Sequence, residues 1–181
     1  MDFDIREFRD YYDPELQAYD YHELVTLGIS YDYHELVTLG ISYDNAEFMV
    51  SIGVPEEFDV FVFYKIDQFQ KLLMEDVSYI QIGHFSFCKY GLYVKEGSDE
   101  FFTTSSLHEP HLYMLNKNLR TFFLFHLIKN EVAMKMRQQG EYTSYKYACE
   151  LRRLFEQIDP VPMKDVESYW SHLIEDYETG L

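Results

Sequence analysis

The stretch VSYIQIGHFSFCKYGLYVKEGSDEFFTT, residues 77–104, decides the fold. Val, Ile, Tyr and Phe suit pleated, half-buried backbone, so Val77 to Phe87 reads as a strand and Cys88 to Lys95 as its hairpin partner. Glu96-Gly97-Ser98-Asp99 makes the next turn, and Glu100 to Thr104 pairs back. A further strand, His111 to Leu115, follows Pro110, and the apolar run Phe58 to Tyr64 supplies one upstream. Gln68 to Met74 is ambiguous between a strand and a short helix. Successive strands joined by short turns predict an antiparallel meander.

Downstream the period changes. With Asn116 or Asn118 as cap, Leu119, Phe122, Phe123, Phe125, His126 and the run Ile128 to Met136 describe a helix buried around much of its girth. After Gly140, residues 141–157 predict a second helix with Tyr145, Ala148, Cys149, Leu151, Leu154 and Phe155 inward. Asp159-Pro160-Val161-Pro162 predicts a break. Asp165 to Tyr177 gives a last helix carrying Trp170 and Leu173. At 181 residues the chain fits one domain, 1–181. The expected class is α+β: a single mostly antiparallel sheet packed by helices, with a helical C-terminal third.

Upstream lies a tandem repeat. YDYHELVTLGIS occupies 19–30 and recurs unchanged at 31–42; Tyr43 and Asp44 begin a third copy that diverges into YDNAEFMVSIGV. Such identity points to a recent duplication or a cloning artefact, since old solenoid repeats drift. Asp20, Asp32 and Asp44 can each cap a helix, with Glu23, Glu35 and Glu47 completing a capping box and Gly28, Gly40 and Gly53 offering stops. Short helices are therefore predicted at 21–27, 33–39 and 45–52.

Charge is unevenly spread. Of a net −17, residues 1–59 hold fifteen acids against two bases, a balance of −13. The bland reading is a solvated face; the sharper one is a field that attracts a basic partner. Bare nucleic acid is disfavoured, because phosphate needs the opposite sign. No apolar run reaches the roughly 18 residues of a membrane span, and MDFDIREFRD lacks a signal peptide's basic start, so a cytoplasmic location is expected. Two cysteines, Cys88 and Cys149, are too few for a disulfide framework.

Chemistry-bearing constellations are scarce. His84 and Cys88 would share a strand face, yet no third ligand or orienting acid is signalled, and a half-buried structural pair is the better reading. His108-Glu109-Pro110-His111 lacks the helical spacing that puts two ligands on one turn. His22 and His34 are expected at the surface, His126 in the core, and His172 at the surface of the last helix. Glycine-rich phosphate loops are absent. No catalytic residue, cofactor or metal is expected.

Four segments resemble one family. YMLNKNLRTFFLFHLI at 113–128 resembles the strand-to-helix signature "fvNsSl..Fl..l" of the SUKH immunity-protein superfamily, particularly its fourth group. FEQIDPVPMKDVESYWSHLIEDYETGL at 155–181 resembles that group's ending, with an Ile-Asp-Pro break and a Trp on the last helix. AEFMVSIGVPEEF at 46–58 is similar to "rFL.evGlP", and SYIQIGHFSF at 78–87 falls where the family has a strand of type "ylviG". Together they span about residues 44–181 in order. Lys117-Asn118 departs from the second Ser of the signature, and the duplicated unit has no counterpart in the family.

The resemblance implies a bacterial protein that neutralises a polymorphic toxin, a nuclease or nucleotide-modifying enzyme, by binding it. A regulatory or scaffold module binding a cellular protein is the alternative. Acids and tyrosines, the latter favoured contact residues, interleave in the N-terminal region. Tyr12, Asp13, Glu15, Tyr19, Asp20, Tyr31 and Asp32 form the first candidate partner face, and the turn at Glu96, Asp99 and Glu100 the second.

Overall fold

Asp32 and Gly40 punctuate the second repeat copy as its sequence predicts. In a computed structural model describing residues 28–88, 90–104 and 111–180, Asp32 caps α1 (Tyr33–Leu39) by accepting the Glu35 amide at 2.9 Å. Gly40 ends the helix at φ 103, a left-handed conformation that only a residue without Cβ adopts cheaply. Helix α2 (Tyr43–Ser51) begins two residues earlier than expected: Ser42, not Asp44, is its cap, accepting the Asn45 amide at 3.3 Å. The helix expected at 21–27 lies outside the described residues.

Identical residues of the two copies take different places. Ile29 belongs to β1 (Gly28–Ile29), which pairs with β2 (Val54–Pro55), whereas its equivalent Ile41 sits in the α1–α2 turn; both are buried. Tyr31, which opens the second copy, is buried, and Tyr43, which opens the divergent third unit, is 69% exposed. Tertiary context, not local sequence, assigns those roles.

The meander forms as expected. Strands β3 (Glu57–Phe58), β4 (Phe61–Phe63), β5 (Gln70–Met74), β6 (Val77–Phe85), β7 (Gly91–Lys95), β8 (Phe101–Thr104) and β9 (Leu112–Asn116) make one seven-stranded sheet. Every pairing is antiparallel, in the order β3-β4-β6-β7-β8-β9, with β5 on the same edge of β6 as β4. The expected single strand over 58–64 is instead a hairpin, folded back at Asp59 with φ 53, a conformation Asp tolerates. The ambiguous segment resolves into a 3-10 turn at Ile66–Gln68 followed by β5. A bulge at Ile82, between Gln81 and Gly83, shifts the alternation of β6, so Ile80, Ile82 and Phe85 all reach the core.

Helix α3 (Leu119–Gln138), capped by Asn118, covers that face. Its Phe122 meets Phe61 and Phe101 at ring separations of 5.0 Å each. Helices α4 (Ser144–Ile158), α5 (Pro160–Lys164) and α6 (Tyr169–Thr179) complete the helical third. Phe155 stacks on Phe125 at 3.9 Å, and Trp170 packs edge-on against both. Three details differ from expectation, the first being that α6 starts at Tyr169, capped by Ser168, and not at Asp165. Tyr145 and Cys149 face outward, because the α4 stripe runs through Tyr147, Ala148, Leu151, Leu154 and Phe155. The Asp159–Pro162 break is itself a helical turn, since proline is well suited to the first helical position.

A buried polar knot welds helices to sheet. Trp170 Nε1 donates to the Leu115 carbonyl at 3.1 Å and to Asn116 Oδ1 at 3.0 Å. Asn116 Nδ2 and the Lys117 amide both donate to Asp159 Oδ2, at 3.2 and 2.7 Å. Asn116, Asp159 and Trp170 have no exposed surface. Nearby, buried Asn45 accepts the Leu119 amide and donates to the Asp99 carbonyl, tying α2 to α3 and to the β7–β8 turn.

Candidate partner-binding surface

The acids predicted at the β7–β8 turn are braced internally. Glu96 pairs with Lys71 at 2.6 Å and lies so close to Gly40 that a Cβ there would come within 2.6 Å of its Cγ. Glu100 accepts from Lys95 and Ser98, each at 3.0 Å. Asp99 offers its backbone carbonyl to Asn45. The Glu96 carboxylate therefore ties the turn to β5, and the Glu100 carboxylate braces the turn itself. Asp32 is a helix cap, and Tyr31 belongs to the core, its hydroxyl donating to the Tyr64 carbonyl at 2.7 Å. Burial, with Glu56 nearby, pushes the Tyr31 phenol well above its usual range. Tyr12, Asp13, Glu15, Tyr19 and Asp20 lie outside the described residues.

At the opposite end of β7 the structure assembles a feature that the sequence did not announce. The end of β6, the start of β9 and one face of α6 enclose a groove of about 270 Å³. Its walls are Phe85, Phe87, Tyr90, Tyr113, Tyr169 and Leu173. Phe85 is its hub, with Phe87, Tyr90 and Tyr169 inclined to it at 5.5, 6.4 and 5.8 Å. The hydroxyls of Thr103 and Thr104 are bonded to the Gly91 carbonyl and amide. Glu167 and Asp176 stand at the rim, where His172 lies 3.6 Å from Glu167 and 3.8 Å from Glu175. The lining residues span positions 85 to 176, so only the third dimension brings them together. The one local signal was Phe87, 69% exposed in the turn after β6.

The titratable groups elsewhere are structural. His126 is enclosed by Phe58, Phe61, Phe122 and Trp170, with Nδ1 3.4 Å from Asp59 Oδ2. Lys129 reaches the same oxygen at 3.0 Å. Burial pushes His126 down to about 4, outweighing the Asp59 carboxylate. Hydrogen bonds from His126 and then Lys129 hold Asp59 well below the usual carboxylate range. The result is a buried neutral imidazole beside an ion pair whose Asp59 carboxylate reaches the surface. His84 and Cys88 do not share a strand face, because β6 ends at Phe85 and Cys88 lies in the turn beyond it. His84 packs on the Tyr64 ring, and exposed His111 on Tyr113; His108, Glu109 and Pro110 lie outside the described residues. His34 and His172 are exposed, and His22 is not among the described residues.

Among the described residues no group of three His, Cys, Asp or Glu side chains could hold a metal ion. No described helix is long and apolar enough to cross a membrane. Compared with protein-family models, curated proteins and solved structures, the chain matches none.

Proposed function

We propose that this chain acts by binding another protein, and that the protein it binds is a basic toxin, a nuclease or nucleotide-modifying enzyme, which it neutralises as an immunity protein. The observation that carries this reading is the buried knot. Asn116, Asp159 and Trp170 are three of the residues on which the SUKH resemblance rests; Asp159 and Trp170 lie 43 and 54 positions from Asn116 in sequence, yet both are hydrogen-bonded to its side chain. That the polar letters of the resemblance meet in one network supports this reading.

Electrostatics supports the same reading. An inhibitor with a net charge of −17 competes with phosphate for a basic surface and captures it quickly. Binding needs no catalytic constellation, and the His126 imidazole is buried among aromatic rings. The test is co-expression with the toxin-like protein encoded beside this gene. Restored growth together with a co-purifying complex is the expected outcome; neither rescue nor complex would overturn the proposal.

A further inference from the structure

We infer that the groove between β6 and α6 receives an arginine side chain presented by the bound protein. This rests on the protein-binding reading above and names what that reading leaves open, the chemistry of the contact. The walls and the rim serve the two halves of a guanidinium. Arg stacks its planar cation on aromatic faces while its N–H fork engages carboxylates, a combination that the compact Lys ammonium does not match. Phe87 keeps most of its ring free at 69% exposure, and the rings of Tyr90 and Tyr169 flank the Phe85 hub. A largely uncovered aromatic ring beside such a cluster is a surface that gains by being covered.

The polar groups fit the same occupant. The two threonine hydroxyls are already bonded to Gly91, which leaves the carboxylates of Glu167 and Asp176 as the charged acceptors. Among the described lining residues there is no lysine or arginine, and His172 is positioned beside Glu167 and Glu175. An apolar group alone would leave those carboxylates unused, whereas a cation uses both features. Size points the same way. A groove of about 270 Å³ falls at the lower edge of ligand clefts, which run to roughly 300–1,000 Å³, and suits one side chain better than a whole small molecule.

The probe is the blocked tripeptide Ac-Gly-Arg-Gly-NH2, titrated into the full chain with aromatic and methyl NMR shifts as readout. We expect saturable shifts of Phe87, Tyr90, Tyr169 and Leu173 in the millimolar range, the scale open to a single side chain. The citrulline peptide, isosteric and uncharged, should bind about tenfold more weakly, and F87A or the pair E167Q/D176N at least about fivefold more weakly. Both sites are surface-exposed, so folding survives the changes. Equal binding of the arginine and citrulline peptides overturns the inference, as do shifts confined to other surfaces. The two proposals fail separately. Toxin protection that F87A and E167Q/D176N leave intact overturns the groove and spares the immunity reading. A chain that never protects overturns the immunity reading, while the peptide titration still judges the groove.

Discussion

Replacing Asn116 by Ala removes both hydrogen bonds of a side chain with no exposed surface. The two losses are unequal. Trp170 Nε1 keeps the Leu115 carbonyl at 3.1 Å, so losing Asn116 Oδ1 costs about 1 kcal/mol, the net value of an ordinary hydrogen bond. Asp159 fares worse. Its Oδ1 has no hydrogen-bond partner among the described residues, and without Asn116 its Oδ2 keeps only the Lys117 amide. Stranding a buried carboxylate in this way costs roughly 2–3 kcal/mol. The sum, about 3–4 kcal/mol, is a large part of the 5–15 kcal/mol typical of a domain, yet leaves it folded. Trp170 is the sole tryptophan and sits in the knot, so its fluorescence during urea unfolding reports the site directly. The midpoint should fall with an unchanged slope. In an Asp159→Asn background the carboxylate is gone, and Asn116→Ala should then cost only about 1 kcal/mol. A loss below about 1 kcal/mol for Asn116→Ala alone, or strict additivity with Asp159→Asn, would refute this reasoning.

Acid should destabilise the protein in two stages. His126 titrates near its ordinary 6.5 when unfolded and at about 4 when folded, so the unfolded chain binds the extra proton and stability falls by roughly 3 kcal/mol as pH drops through that window. Asp59, whose folded value lies below its ordinary 3.8, withdraws its contribution at still lower pH. Urea melts of His126→Leu between pH 6.5 and 4 should show a flatter slope than wild type, and an equal slope would remove His126 as the cause. Gly83→Ala would place a Cβ 2.3 Å from the Val62 carbonyl and cost about 3 kcal/mol, whereas Gly97→Ala, at φ 70 with open space around it, should cost about 1. Equal thermal shifts for the two would contradict the packing described at β4–β6. Deleting residues 19–30 puts Gln17 where Ile29 pairs with Val54, which should lower Tm by about 4–8 °C but keep the fold. Loss of soluble expression would show the additional unit to be integral.

The strands and the long helices were legible because their signals are local. Val77–Phe85, Gly91–Lys95 and Leu119–Gln138 carry strand or helix composition throughout and end at turn or cap residues. Errors arose where a single residue outweighed its neighbours. Asp59 reversed an apolar run with one positive φ, and Ser42 outcompeted Asp44 because its hydroxyl was placed to accept the Asn45 amide. The repeat shows the limit most plainly, since Tyr31 and Tyr43 both follow Leu-Gly-Ile-Ser and precede Asp, yet have opposite exposures. The groove was illegible for a different reason. Its lining comes from β6 and the turn after it, from β8 and β9, and from α6 and the residues before it, and no spacing rule joins Phe87 to Glu167. The acids of the β7–β8 turn misled in turn, because their nearby lysines, Lys71 and Lys95, are brought in by strand pairing.

The most direct measurement of the central claim is the binding of the purified chain to the purified product of the adjacent gene, which the proposal expects to be a basic toxin, followed at low and high salt. A basic partner captured by a −17 chain should associate fast at low salt and more slowly at high salt, with the complex persisting in both. Absence of a complex at either salt concentration would contradict the account.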